Sequence, residues 1–258
     1  MNKLKINNIL NKKNKDQLVC LTAYSKFMSQ ILDKYCDIIL VGDSLANVLY
    51  GMQNTHKISL DTMIKHARSV KRGVKKSLCV VDMPKNSYNN IKDAKKNAEA
   101  ILKKTKCDAV KIEDNGKNHK IIKHLVTSGI AVMGHIGYTP QFKKKFKIQG
   151  ITKKQEKKLI NRAIKIEEAG AFSIVLECIK TLAAKKITKK TKIPTIGIGS
   201  SKYCDGQILV TEDILGLSGF KPRFVKQYTN LKKIIEKSIQ NYRKEVIEKK
   251  FPKNINSY

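Results

Sequence analysis

Eight short, nearly unbroken apolar runs, most of them followed by a stretch of helical periodicity, constrain this chain more than any other feature. Five of the runs end on polar groups. Ile38-Ile39-Leu40-Val41 passes through Gly42 into Asp43 and Ser44, Val80-Val81 into Asp82, and Val110-Lys111-Ile112 into Glu113. Val132-Met133-Gly134 leads to His135, and Ile174-Val175-Leu176 to Glu177. Strands that are apolar at nearly every position are buried on both faces, which calls for a parallel sheet covered by helices. In such folds the carboxyl ends of the strands carry the chemistry. An open doubly wound sheet gathers its site at one switch point, whereas here polar groups come from many strand ends. That distribution favours closure into an α/β (β/α)8 TIM barrel, and 258 residues is a length typical of one.

The pattern predicts strands over 18–24, 37–43, 78–83, 109–113, 130–135, 172–177, 193–199 and 206–210. Helices are expected over about 25–34, 61–72, 91–104, 117–127, 153–169 and 182–188, with Asp61 capping the helix over 61–72. An N-terminal basic helix over 3–15 precedes the first strand. A C-terminal amphipathic helix over about 230–249 carries Leu231, Ile235, Ile239, Tyr242 and Val246 on one face, a stripe expected to pack on the barrel. No linker interrupts the chain, so residues 1–258 read as a single β/α barrel domain.

The net charge of +32 invites a polyanion-binding reading. The excess is lysine spread along the chain, and the 6% of aromatic residues are not interleaved with it as on a nucleic-acid surface. No nucleic-acid partner is expected. The six cysteines show no C-x-x-C pair and no zinc-ligand spacing, a pattern of free thiols in a reducing compartment. Met1 to Gln17 is polar and basic rather than a secretory signal, and no apolar stretch approaches the roughly 20 residues that span a bilayer. A cytoplasmic protein without a membrane partner is expected.

Asp43, Asp82 and Glu113, from successive strand ends, form a candidate hard-cation site. Magnesium takes oxygen ligands, commonly one or two carboxylates plus water and substrate. Asp43 and Asp82 can supply these, with Glu113 gripping a metal-bound water. Singly, each acid also reads as a cap for the helix that follows. An α-keto acid would complete the coordination through its carboxylate and keto oxygens, and a cation at the keto oxygen stabilises an enolate. Glu177, arriving from across the barrel, is the candidate base. Lys111 shares a strand face with Glu113 and needs an anion, either the substrate carboxylate or the acids themselves. His135 suits a substrate oxygen, and Ser44, at a loop or helix start, suits a carboxylate. The Gly197 and Gly199 turn lacks the third glycine of a dinucleotide fingerprint and reads as close backbone approach.

Taken together, several segments resemble the ketopantoate hydroxymethyltransferase family. They are Leu21-Thr22-Ala23-Tyr24, Val41-Gly42-Asp43-Ser44, Gly134-His135-Ile136-Gly137-Tyr138-Thr139-Pro140-Gln141, Val175-Leu176-Glu177-Cys178, and Ile196-Gly197-Ile198-Gly199 with Asp205-Gly206-Gln207-Ile208-Leu209. The match runs in order from about Leu4 to Tyr228. It implies a Mg2+-dependent barrel enzyme that transfers a hydroxymethyl group from 5,10-methylenetetrahydrofolate to 3-methyl-2-oxobutanoate (alpha-ketoisovalerate) through a Mg-stabilised enolate. The product would be 2-dehydropantoate (ketopantoate), for pantothenate and coenzyme A biosynthesis. The resemblance assigns Asp43 and Asp82 to the metal with Glu113 assisting. Ser44, Lys111 and His135 then hold the keto acid beside Asp43 and Asp82, and Glu177 takes the proton from its C3. It also implies a homo-oligomer, commonly a decamer. Related barrel enzymes acting on phosphoenolpyruvate and isocitrate share Gly-Asp-Ser but carry a catalytic Cys loop; residues 137–149 contain no Cys. Five positions depart from the family pattern: Ser25 for Asp, Lys85 for Phe, Asp114-Asn115 for Gly-Gly and Lys180 for Pro. They bear on the rim, and so on folate, rather than on a ligand or the base.

Overall fold

Eight strands pair in parallel, each with the next in sequence, and β8 returns to β1 to close a barrel. They are β1 (Leu18–Thr22), β2 (Ile38–Val41), β3 (Leu78–Asp82), β4 (Ala109–Glu113), β5 (Val132–Gly137), β6 (Ser173–Glu177), β7 (Thr195–Ile198) and β8 (Gly206–Leu209). This computed structural model describes residues 3–143, 145–219 and 222–258. Lys144, in the Lys-rich connection after β5, lies outside them, as do Met1, Asn2, Phe220 and Lys221. Every strand lies within one or two residues of its predicted bounds.

The helices are α1 (Lys3–Asn11), α2 (Lys26–Leu32), α3 (Leu45–Val48), α4 (Leu60–Lys71), α5 (Ile91–Thr105), α6 (His119–Thr127), α7 (Lys153–Glu168), α8 (Thr181–Lys190), α9 (Thr211–Ile214) and α10 (Leu231–Ile247). α3 and α9 are single turns, too short to show a period in the sequence. α4 starts one residue earlier than expected because Ser59, not Asp61, is its N-cap: Ser59 Oγ accepts from Thr62 N at 3.1 Å. Asp61 sits in the first turn instead, where the helix dipole favours an acid, and pairs with Lys65 at 2.8 Å.

Alternation along the strands divides the apolar residues into two sets. Ile39, Val41, Cys79, Val81, Val110, Ile112, Val132, Ile174 and Leu176 point outward and pack with the buried faces of the surrounding helices, among them Met63, Ala67, Ala98, Ile122 and Ala163. Cys20, Ile38, Leu40, Leu78, Val80, Met133, Val175, Ile196 and Ile208 fill the interior. Ile6 and Ile9 of α1 join the interior set, and Lys5 Nζ donates to the carbonyls of Lys75 and Ser77 just before β3. α1 therefore stoppers the amino-terminal end. The interior carries ionisable side chains toward the carboxyl ends, at Asp82, Lys111, Glu113, His135 and Glu177.

The chain falls into two compact units, Met1–Val210 with the whole barrel and Thr211–Tyr258 with α9 and α10. α10 carries its predicted apolar stripe exposed, at Ile235, Ile239, Tyr242 and Val246. All six cysteines are free and buried. Among the described residues no helix is long and apolar enough to cross a membrane.

One glycine fixes how β5 delivers its loop past β6. Gly137 has φ +104°, and a Cβ there would lie 2.1 Å from the Glu177 carbonyl oxygen. The next residue, Tyr138, donates its N–H to that carbonyl at 2.8 Å. Gly137→Ala should destabilise the barrel by at least about 1–3 kcal/mol, the cost of a left-handed non-glycine residue alone. Urea denaturation measures it, and an unchanged midpoint would contradict this account of the turn.

Candidate active site

Strand register assembles the site. Asp82 of β3 lies directly opposite Lys111 of β4, and Glu113 directly opposite His135 of β5. Directly opposed residues share a face, so all four side chains enter the barrel mouth together. Glu177 of β6 is in register with Gly137, two residues beyond His135, and so on the same face. Asp43 follows β2 across Gly42, whose added Cβ would stand 2.8 Å from Ser44 Oγ and 3.6 Å from Asp82 Oδ2. A side chain at that position would fill the space between the two aspartates and the serine.

Asp43, Asp82, Lys111, Glu113 and His135 are all buried. Lys111 Nζ donates to Asp82 Oδ1 at 2.8 Å, and Asp43 N donates to Asp82 Oδ2 at 3.0 Å. Burial alone would drive Lys111 to lose its proton, but Asp82, Asp43 and Glu113 more than reverse that and hold its pKa above the ordinary lysine range. Burial, then the charges of Asp82 and Glu113, push Asp43 up to about 7 against the opposing pull of Lys111 and Gln141. Three buried carboxylates thus surround one buried ammonium, and the cluster is short of positive charge.

His135 Nε2 stands 3.1 Å from Glu177 Oε2 and Nδ1 3.5 Å from Glu113 Oε1. Neither ring nitrogen is in good hydrogen-bond geometry with a group among the described residues, so the ring sits between the two carboxylates at ion-pair distance. Burial and Lys111 lower the His135 pKa, and Glu113 and Glu177 outweigh them, leaving it above its usual range. Glu177 differs from the other acids in keeping 17% of its side chain exposed, on the route a ligand would take. Ser44 begins the one-turn α3 without spending its hydroxyl on a cap, and its Oγ lies 2.8 Å from Tyr24 Oη.

The capping alternative for the three acids does not hold. Asp82 binds Lys111 and the Asp43 N–H, Asp43 accepts from Gln141 Nε2 at 2.9 Å, and Glu113 accepts from Gln141 N at 3.0 Å. Asp114, one residue on, takes the loop-fixing role before α6, accepting from the N–H groups of Gly116 and Asn118 and pairing with Arg162. The other departures from the family pattern are accommodated as simply. Ser25 Oγ accepts from Met28 N to cap α2, and Lys85 Nζ lies 3.2 Å from His56 Nδ1, whose Nε2 reaches Pro140 O at 2.9 Å. Gln141 and Tyr88, which contribute to this network, carry no strand-end signal in the sequence: Gln141 is 98 positions from the aspartate it binds.

The donor set fits a hard divalent cation. All candidate ligands are oxygens, no side chain at position 42 crowds Ser44 Oγ or Asp82 Oδ2, and the cluster lacks positive charge. Among the described residues no group of three or more His, Cys, Asp and Glu side chains is placed to hold a metal ion by itself, so water and substrate oxygens would have to complete the coordination. One or two carboxylates completed by water and substrate is a set that magnesium commonly takes. A separate concavity of about 390 Å³, lined by Gly116, Lys154, Lys157, Lys158, Arg162 and Lys165, shares none of these residues.

The displaced Asp43 makes a stability prediction. A carboxyl that holds its proton to higher pH in the fold than in the unfolded chain stabilises the fold below pH 4, and that contribution is lost as pH rises to about 7. Metal-free Asp43→Asn should therefore be more stable than the parent above pH 8, by roughly 2–4 kcal/mol. The advantage should fade toward pH 4. Chemical denaturation across pH in chelator measures it, and a pH-independent difference would contradict the electrostatic account.

Comparison with known proteins agrees with this geometry. Residues 3–254 match the family model for ketopantoate hydroxymethyltransferase. The chain is 51% identical over 258 residues, covering all of both sequences, to a 3-methyl-2-oxobutanoate hydroxymethyltransferase of Pelagibacter ubique. It is 46% identical to the second such enzyme of Zymomonas mobilis, over 96% of this chain and 92% of that one. Among solved structures, phosphonopyruvate hydrolase complexed with oxalate and Mg++ superposes with a TM-score of 0.67 at 11% identity, covering 98% of this chain and 93% of that one. A 2,3-dimethylmalate lyase of the PEP mutase/isocitrate lyase superfamily gives 0.63 at 13% identity, covering 94% and 86%. These two likenesses show the barrel fold. The full-length sequence matches show more: this chain belongs to the ketopantoate hydroxymethyltransferase family.

Proposed function

We propose that this chain transfers a hydroxymethyl group from 5,10-methylenetetrahydrofolate to 3-methyl-2-oxobutanoate, giving 2-dehydropantoate for pantothenate and coenzyme A biosynthesis, and that it requires magnesium. The observation that carries the reading is the buried surplus of carboxylate at Asp43, Asp82 and Glu113, faced by the more accessible Glu177, in a chain of this family. Asp43 and Asp82 would hold the metal, and Glu113 would hold one of its waters. When bound, magnesium supplies positive charge at the keto oxygen of the substrate.

The chain's own groups do the rest. Lys111, kept charged by its acidic neighbours, and the Ser44 hydroxyl orient the keto acid through its carboxylate. His135 donates to the keto oxygen. Glu177 takes the C3 proton, and C3 forms a bond to the one-carbon unit of the folate. Overall both carbon–nitrogen bonds of that unit break, one water supplies its hydroxyl, and tetrahydrofolate leaves with the C3 proton and the other water proton on its two nitrogens. A homo-oligomer in the cytoplasm belongs to the same reading. It is supported by the exposed apolar stripe of α10, which a neighbouring subunit would cover, and by six free thiols.

Glu177→Gln tests the reading, because it keeps size and polarity but removes the base. The variant should bind the keto acid within a few-fold of the parent, yet lose solvent exchange of the C3 proton and 2-dehydropantoate formation by at least about 100-fold. NMR in deuterated buffer follows both. Parent protein that forms product alongside a variant with undiminished exchange would remove Glu177 from the role of base. Folded parent protein that neither exchanges the C3 proton nor forms product would overturn the reaction itself.

A further inference from the structure

We infer that Gln141 is a positioning residue for the cation site, holding Asp43 and Glu113 in mutual register, and that Tyr88 fixes the orientation of its amide. The inference rests on the proposed metal site.

The hydrogen-bonding capacity of Gln141 is used in a single way. Its Nε2 donates to Asp43 Oδ2 at 2.9 Å and to Met83 O at 3.0 Å, which occupies both amide hydrogens. Its Oε1 accepts from the Tyr88 hydroxyl, and its backbone N donates to Glu113 Oε2 at 3.0 Å. Asp43, the backbone after β3, Glu113 and Tyr88 are thereby joined through one residue, and Tyr88 and Gln141 are themselves buried.

The orientation follows from the partners. Asp43 and the Met83 carbonyl are acceptors, so the amide nitrogen must face them and the oxygen must face Tyr88. Burial, followed by the charges of Glu113, Asp43 and Asp82, keeps the Tyr88 phenol protonated and hence a donor. A flipped amide would set its oxygen against the Asp43 carboxylate. The preceding residue is anchored from outside, because Pro140 O lies 2.9 Å from His56 Nε2. Groups that orient metal ligands from behind commonly contribute about 10–100-fold to affinity.

The test is a double-mutant cycle on the full-length protein, read by EPR titration of the metal-free protein with Mn2+ and by competition with Mg2+. Gln141→Met keeps volume but removes both side-chain functions. It should weaken Mn2+ binding by about 10–100-fold, and saturating metal should restore most of kcat. Tyr88→Phe should weaken binding less, and added to Gln141→Met it should change affinity by less than twofold. A melting temperature that falls while Mn2+ affinity stays at the parent value would reduce Gln141 to a structural role and overturn the inference. Full additivity of the two substitutions would overturn the part given to Tyr88. Parent protein that binds no Mn2+ would instead sink the metal site, and the inference with it.

Discussion

Charge held out of water without a matching counter-charge is among the costliest arrangements a fold can contain. Here three carboxylates are buried around a single ammonium at the carboxyl ends of β2, β3 and β4. The rise of Asp43 to about 7 is the local expression of that imbalance. Apolar replacements would make a more stable barrel, and sequences that keep such a cluster do so where a ligand completes it. The proposed divalent cation would supply the missing charge. An α-keto acid chelating it would bring its own carboxylate toward Lys111 and Ser44.

The barrel makes this arrangement possible by confining it to one layer. Interior positions nearer the strand starts are apolar apart from Ser173 of β6, and α1 seals that end with Ile6 and Ile9. The inward ionisable side chains of β3, β4, β5 and β6 lie from the middle of β4 to the strand ends, at Asp82, Lys111, Glu113, His135 and Glu177, so the desolvation of charge is concentrated at the candidate site. Parallel register then sets the pairs: Asp82 meets Lys111 and Glu113 meets His135 because their strands are neighbours with those residues opposed. Glu177 enters from β6 with more solvent access than the rest, which suits the proposed separation of a base from the groups proposed to hold ligands.

Much of this was legible in the sequence because it is periodic or local. Apolar runs ending in Asp82, Glu113, His135 and Glu177 locate strand ends by pattern alone, and alternation puts Lys111 and Glu113 on one face. What escaped has no such signature. A one-turn helix such as α3 shows no period, and the competition between Ser59 and Asp61 for the α4 cap depends on where the turn begins. Gln141 and Tyr88 are chosen by three-dimensional proximity across the barrel mouth. The +32 charge, the loudest compositional signal, has no part in the site, where the unbalanced charge is negative.

The most direct test of a site built around a missing cation is to see the cation. An anomalous difference map from crystals grown with Mn2+ and 3-methyl-2-oxobutanoate should show one strong peak bonded to the Asp43 and Asp82 carboxylates, with the keto acid completing the coordination. Crystals that hold the keto acid in the barrel mouth with no metal between those aspartates would contradict the account.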